Sequence, residues 1–425
     1  MSAEKIKVVF LINSLAGGGA EKIMTTLLEY IDKDKYDISL CLTCDDRVEY
    51  KLDKSIPLHI PNFAELKISL LMTAAIKLLS LVRCVIPIVG LPDMRKRYLD
   101  VSTKLSSLYR SFLGTRNYVE AVNPQILVSF LFLSSLIAIA IKMTSKRKLR
   151  VVCSDHCTLT KELKNFFPLT YIHLPRFLFK NLDAYVAVSC GVQQDLLENF
   201  HMSREHIKII YNGTDIQAIT ELVQKPLPSG LAEMFFDDGA FCVVHVGRLA
   251  PPKNQKILLE AFQILNKHCP CRLYLIGQGE LLNELMNLAF ELGIKKDVYF
   301  LGWQENPFNI MAKCDLFVLS SSWEAFPNVL VEAMAVGLPI VSTDCPTGPR
   351  EALSDGLYGD LVPFNDVDAL ALAMIRMYED TPRRQEISRL SGKRAEFFAL
   401  PHMINGYEHL LDELAAKSQE RPRAV

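Results

Sequence analysis

The chain has 425 residues, 50% of them hydrophobic and 22% charged, with a formal net charge of −1. Such a length suits two or three domains of roughly 150 residues each. The apolar share excludes a disordered chain, the scattered 20 Gly and 21 Pro exclude collagen-like or low-complexity sequence, and the near-zero charge argues against a nucleic-acid partner. The 11 cysteines show no regular framework and read as reduced thiols of a cytoplasmic protein.

In chain order, the first apolar run is KVVFLI from Lys7. It is too short for a secretory segment, has no small-residue cleavage site after it, and reads as a buried strand. The turn NSLAGGGAE, residues 13–21, then leads into an amphipathic helix. Glycines there let the backbone approach a ligand, and the helix start offers N–H groups to an anion. A dinucleotide fingerprint needs G-x-G-x-x-G, but counting from Gly17 the third glycine falls on Lys22. That weighs against a dehydrogenase, and a tight turn with no ligand is the alternative.

ISLCL from Ile38 is the second strand. Residues 70–89 are apolar, but Lys77 and Arg83 interrupt them and Pro87 sits near their end, so no membrane span is expected. Residues 126–141 fall short of the roughly 20 that a spanning helix needs and split into a strand, ILVSF, and a helix. LRVVCS from Leu149 precedes Asp155, His156 and Cys157. Cys153, His156 and Cys157 make only three of the four ligands a structural zinc site wants, and Cys41 and Cys44 lie in a strand whose side chains alternate faces, so no metal is expected. His156, at a strand's carboxyl end, faces the presumed cleft; a core histidine is the alternative. AYVAVS from Ala184 and IKIIY from Ile207 close this first series.

KPLPSG and FFDDG, between residues 215 and 238, carry linker signals. A second series follows: FCVVHV from Phe241, RLYLIG from Arg272, VYFLG from Val298, LFVLS from Leu316 and PIVST from Pro339. These strands are continuous apolar runs alternating with helices, the pattern of parallel sheets covered on both faces. The fold class is therefore α/β, with two doubly wound domains: residues 1–220, residues 221–398, and a terminal helix over 399–425 that packs back on the first domain.

Charge is uneven. Residues 1–210 hold 28 Lys and Arg against 20 Asp and Glu; residues 211–425 hold 19 against 28. Nine basic residues lie in 67–116 against Asp93 and Asp100, and nine more in 142–180 against Asp155 and Glu162. A basic, apolar half suits a protein resting on an anionic membrane surface; ordinary solvated helix faces are the alternative.

In the second half, Arg248 leaves a strand's carboxyl end and Lys253 follows five residues later. Ligands of open α/β sheets collect outside those ends, and two converging cations suit a diphosphate whose charge grows as it leaves. Glu324 precedes Phe326-Pro-Asn328, a helix start, and Glu332 lies about one turn inside that helix. Two carboxylates flanking a helix N-terminus can accept charge-assisted hydrogen bonds from vicinal hydroxyls of a sugar and a ribose.

The frame E-A-F-P-N-V-L-V-E, with Glu324 and Glu332 at its ends, resembles the retaining glycosyltransferases of family 4. Arg248 and Lys253 match the family's G-R-L-x-x-x-K element, and residues 17–21 match its N-terminal G-G-A-E loop. The resemblance implies the GT-B architecture: two Rossmann-like domains facing across a cleft, the nucleotide-sugar held mainly by the C-terminal one. It implies that Glu324 touches the donor sugar and that Glu332 binds the ribose. Arg248, Lys253 and the amides of Gly18 and Gly19 would hold the diphosphate. Gly302, Trp303 and Gln304 would lie near the base, and Phe326, Asn328 and Val329 would complete the donor site. His156 resembles the family's S-E-H loop and would contact the donor sugar or the acceptor. Ala325 stands where the family usually has Gly, a replacement that requires a negative φ.

The implied activity is transfer of a sugar, from a UDP-sugar by preference, to a polyprenyl-diphosphate-linked or other glycan. No cofactor or metal is expected, since no Asp-x-Asp motif is present. The expected location is the inner face of the cytoplasmic membrane. A transferase acting on a soluble acceptor, an epimerase of the same fold, and an inactive scaffolding subunit are the competing readings.

Overall fold

The computed structural model describes residues 4–44, 47–62, 94–166, 173–228, 230–232, 235 and 239–419. The expected basic segment 67–116 and the apolar stretch 70–89 thus lie wholly or partly outside the described residues. Of that segment, residues 94–116 belong to a helix spanning Met94–Val122. Among the described residues, no helix is long and apolar enough to cross a membrane.

The chain forms two compact units. The first comprises Met1–Ala187, Leu196–Lys208 and Gly406–Val425; the second comprises Val188–Asp195 and Ile209–Asn405. Two short pieces before residue 220 therefore group with the second unit, because Ser189, Cys190, Tyr211 and Asn212 hydrogen-bond residues between 325 and 351.

The first unit carries a seven-stranded sheet: β1 (Ile6–Ile12), β2 (Tyr36–Leu42), β3 (Leu58–His59), β4 (Ile126–Phe130), β5 (Arg150–Ser154), β6 (Ala184–Ala187) and β7 (Ile207–Ile209), in the order β3-β2-β1-β4-β5-β6-β7. The second carries six: β8 (Phe241–Val246), β9 (Cys271–Ile276), β10 (Val298–Gly302), β11 (Leu316–Leu319), β12 (Ile340–Asp344) and β13 (Asp360–Pro363), in the order β10-β9-β8-β11-β12-β13. Pairing is parallel from β3 through β6 and throughout the second sheet.

The central strands are apolar along their length because helices cover both faces. Val8 to Ile12 and the whole of β4 are buried, as are Leu316 to Leu319. In the second unit, Leu258 and Phe262 of the helix Gln255–His268 and Leu370 and Met374 of the helix Val367–Glu379 join Val243, Leu273 and Val318 in one core. Strand order reverses between β1 and β4 and between β8 and β11, so the loops leaving those strands open at the two switch points where doubly wound sheets bind ligands.

The last helix, Leu400–Gln419, enters the first unit at Gly406. Tyr407, Leu410, Leu411 and Leu414 are buried there. Tyr36 donates from its hydroxyl to Asp412 at 2.7 Å and to the Glu408 carbonyl at 3.0 Å, and Lys35 pairs with Asp412 at 2.5 Å. Burial, reinforced by Asp412, pushes the Tyr36 phenol well above its ordinary range, so it stays a donor. Leu411→Ala should cost about 2–5 kcal/mol, the range for truncating a buried leucine, read as a lower urea midpoint of the intact protein.

Candidate functional site

In the second unit, β8 ends at Val246 and the chain passes through Gly247, Arg248 and the 3₁₀ turn Pro251–Lys253 before the helix Gln255–His268. Asn254 takes φ 48°, ψ 46° to make that junction, a left-handed conformation that Asn tolerates. Arg248 is exposed; the Lys253 stem is mostly buried and its ammonium meets Glu324 Oε1 at 2.6 Å. Ser321 Oγ donates to the same oxygen at 2.6 Å, and Thr347 Oγ1 donates to the Glu324 backbone carbonyl. The turn after β8 and the loop after β11 are thus joined by an ion pair at the switch point.

Beneath the turn lies a buried polar chain that the sequence reading missed. His245 accepts at Nε2 from Gln255 Nε2 at 3.2 Å and donates from Nδ1 to the Val318 carbonyl at 2.9 Å. Gln255 Nε2 also donates to the Arg248 carbonyl at 2.9 Å. A carbonyl only accepts, which assigns the proton of His245 to Nδ1 and leaves its Nε2 lone pair for Gln255. Burial holds the His245 pKa down to about 4; Lys253 lowers it further, while the Val318 carbonyl and Glu324 oppose the shift. The neutral ring is what keeps Gln255, and through it Arg248's backbone, in place.

The helix Asn328–Val336 begins after Pro327 with no side-chain cap. Glu332 lies one turn in and is partly exposed, as are Asn328 and Val329. The Phe326 ring instead turns into the interior, with centroids 5.6 Å from Tyr211 and 5.0 Å from Phe398. Ala325 is buried and is not among the non-glycine residues with positive φ, so alanine fits this turn without strain. Gly348, at φ 94°, packs so closely that a Cβ would lie 2.6 Å from Pro327 Cδ and 3.1 Å from Phe326 Cα. Gly302 closes β10, Trp303 is 67% exposed, and Gln304 donates to the Leu301 carbonyl at 2.7 Å.

In the first unit, the helix Gly19–Tyr30 starts one residue after the end of β1's loop, with Gly18 as its N-cap. The carboxylate ends of Glu49 and Glu21 stand against Gly17 and Gly18, whereas Gly19 faces open space. Asn13, after β1, accepts from Ser134 at 2.7 Å, and Leu131, after β4, adopts φ 71°, ψ 147°, a region costly for any residue but glycine.

His156 follows β5 and packs on Phe130 with centroids 4.5 Å apart. The residue is partly exposed, but Nδ1 is buried with no hydrogen-bond partner, and burial pushes the ring's pKa down to about 3. It is therefore a neutral imidazole near pH 7. Its neighbour Asp155 is buried and accepts from Ser135 at 3.0 Å and Tyr185 at 2.8 Å. Burial raises the Cys153 thiol to about 12. Among the described residues, no group of three or more His, Cys, Asp or Glu is placed to hold a metal ion.

The histidines give a pH signature. Unfolded, they take up protons near 6.5; folded, His245 resists until about 4 and His156 until about 3. Stability is therefore present above about pH 6.5 and lost as pH falls through that window. Urea midpoints should drop between pH 7 and pH 4.5, and His245→Gln should flatten that part of the profile; an unchanged profile in the variant would remove His245 as a cause.

The family described as Glycosyltransferase Family 4 matches residues 17–218, and that described as Glycosyl transferases group 1 matches residues 232–394. The chain is 28% identical over 403 residues to the N-acetylgalactosamine-N,N'-diacetylbacillosaminyl-diphospho-undecaprenol 4-alpha-N-acetylgalactosaminyltransferase of Campylobacter jejuni, covering 92% of this chain and 95% of that one. It is 29% identical over 218 residues to the UDP-Gal:alpha-D-GlcNAc-diphosphoundecaprenol alpha-1,3-galactosyltransferase of Escherichia coli, covering 50% of this chain and 55% of that one. The fold matches Anabaena HepE, solved in complex with UDP-glucose, with a TM-score of 0.72 at 22% identity, over 96% of this chain and 100% of that chain. The two glycosyltransferase models, covering residues 17–218 and 232–394 between them, together with two Rossmann-like sheets, place this chain among the glycosyltransferases of family 4, with the GT-B fold.

Proposed function

We propose that the chain moves a sugar from a nucleotide-diphosphate donor, UDP-linked by preference, to a polyprenyl-diphosphate-linked glycan, with retention at the anomeric carbon and without a metal ion. The observation that carries this reading is the Lys253–Glu324 contact of 2.6 Å. It sets a cation and a carboxylate side by side where β8 and β11 end. Lys253 and Arg248 would stabilise the charge that gathers on the departing diphosphate, while Glu324 accepts from the sugar hydroxyls and Glu332 from the ribose. Gly302, Trp303 and Gln304 would border the base. His156, neutral near pH 7, would act as a hydrogen-bonding contact and not as a cation.

The lipid-linked acceptor rests on the two bacterial relatives, whose names place their own acceptors on diphospho-undecaprenol, and UDP rests on the E. coli relative and on HepE. Retention rests on the Glu324 and Glu332 frame. Peripheral seating on the inner face of the cytoplasmic membrane rests on the basic excess of residues 1–210. The function is surface polysaccharide or glycan assembly.

Arg248→Ala and Lys253→Ala should each lower kcat at least ~100-fold, as removal of a charge-stabilising donor does elsewhere. Turnover should persist in excess EDTA, and the product anomer should match the donor's by NMR. Near-normal kcat in either variant, a specific metal requirement, or inversion would overturn the corresponding part. On vesicles, the protein should pellet with anionic lipid, weakly with neutral lipid, and be partly released by salt; equal binding to both would remove the membrane reading.

A further inference from the structure

The loop 320–327 runs between β11 and the helix Asn328–Val336 with no regular secondary structure of its own. Its carbonyls must find partners elsewhere, and its stiffness depends on which groups supply them. Those groups come from far along the chain. Ser189 is fully buried; its hydroxyl donates to the Ala325 carbonyl at 2.8 Å while accepting from Val192 N–H at 3.1 Å as the cap of the helix Cys190–Phe200. Asn212 Nδ2 donates to Asn328 Oδ1 at 2.9 Å. The Glu324 carbonyl is taken by Thr347, and Thr347 is backed by Gly191, where a Cβ would lie 2.7 Å from Thr347 Cγ2 and 3.3 Å from its Cα.

The pieces that reach the loop are themselves pinned. Cys190 N–H points at both carboxylate oxygens of Glu351, each at 2.9 Å, and the Tyr211 hydroxyl donates to the same carboxylate at 2.5 Å. Glu351 sits in the short helix Pro349–Ala352, directly after Thr347 and Gly348. Arg394 closes the assembly by donating to the Glu351 and Ala352 carbonyls at 2.7 and 2.9 Å. All of these residues lie in the second unit.

We propose that Ser189, Gly191 and Asn212 are positioning residues for the donor site: segments 188–195 and 209–215 set where the Glu324 carboxylate stands. The inference rests on the reading of Glu324 as the group that touches the donor sugar. Its consequence is selective. Glu332 sits on a helix fixed by the buried side chains of Leu330, Val331 and Met334, so nucleotide affinity should survive when the loop loosens. Sugar transfer should slow, because misplacing a contacting group by about 1 Å can cost on the order of 100-fold in rate.

The test uses the full chain in four forms: Ser189→Ala, Ser189→Thr, Gly191→Ala and Asn212→Ala. Gly191 has no positive φ, so its alanine variant changes only the fit against Thr347 and keeps every hydrogen-bonding group. UDP affinity is measured by calorimetry, and kcat as UDP release from the UDP-sugar that the parent consumes. Ser189→Ala, Gly191→Ala and Asn212→Ala should lower kcat at least ~10-fold with UDP affinity within about 3-fold, while Ser189→Thr, which keeps both the cap and the donor, should lie near the parent. Parent-like kcat in Ser189→Ala and Gly191→Ala, or a parallel fall in kcat and UDP affinity, would overturn the positioning role alone. A parent that binds no UDP, GDP or ADP and releases none from their sugars would overturn the donor-site reading and the inference with it.

Discussion

A parallel strand buried on both faces has no room for a charged side chain along its length, and its carboxyl end is where charged groups collect. Both sheets obey this constraint. The polar groups of the first unit gather after β1, β4 and β5, at Asn13, Ser134, Asp155 and His156; those of the second gather after β8 and β11, at Arg248, Lys253 and Glu324. Where the strand order reverses, the crossover helices diverge to opposite faces of the sheet and leave the loops after those strands open. The Lys253–Glu324 pair is this constraint at its most concentrated: a 3₁₀ turn and a loop, following the adjacent strands β8 and β11, are held together by opposite charges.

Burial gives these groups their protonation states as much as their positions. His245 and His156 are held neutral by desolvation. In His245 a protonated Nε2 would face the amide hydrogens of Gln255, donor against donor, and the Arg248 carbonyl would lose its anchor. In His156 the absent charge keeps a cation out of a site proposed to bind hydroxyls. The cysteines follow the same rule, with the thiols of Cys41 and Cys153 raised to about 12 and therefore inert near neutral pH.

The eleven strands read from the sequence are all present, because a continuous run such as ILVSF or LFVLS has few ways to be buried other than as a central parallel strand. The two that were not legible, β3 (Leu58–His59) and β13 (Asp360–Pro363), are edge strands of two and four residues that mix polar, exposed and proline positions. Neither offers an apolar run long enough to find, unlike the edge strands β7 and β10, which IKIIY and VYFLG mark. At the site, the charged residues were legible because their spacing follows strand and helix starts. The Phe326 ring, assigned to the donor site by the resemblance, packs instead against Tyr211 and Phe398 in the interior. His245, Gln255 and Ser189 left no motif at all. Each acts through a hydrogen bond to a backbone carbonyl, and any carbonyl looks alike in sequence. Gly277 and Gly279 were available signals: a Cβ would lie 2.0 Å from the Gly247 carbonyl at the one and 2.1 Å from the Leu249 carbonyl at the other, so the glycines after β9 mark where the turn after β8 presses in.

The first unit is assembled from three separate stretches of chain, the last of which begins at Gly406. Tyr36, near the start of the polypeptide, has its hydroxyl satisfied by Glu408 and Asp412, near its end. On the ribosome, where residues emerge at about 5–20 per second, the second unit has its whole sequence available before the first unit does. The early-made sheet must then wait, with the surface destined for Tyr407, Leu411 and Leu414 uncovered, until the final helix is released. The first unit thus keeps an apolar face open for longer than the second does, and the helix that closes it is a folding element rather than an appendage.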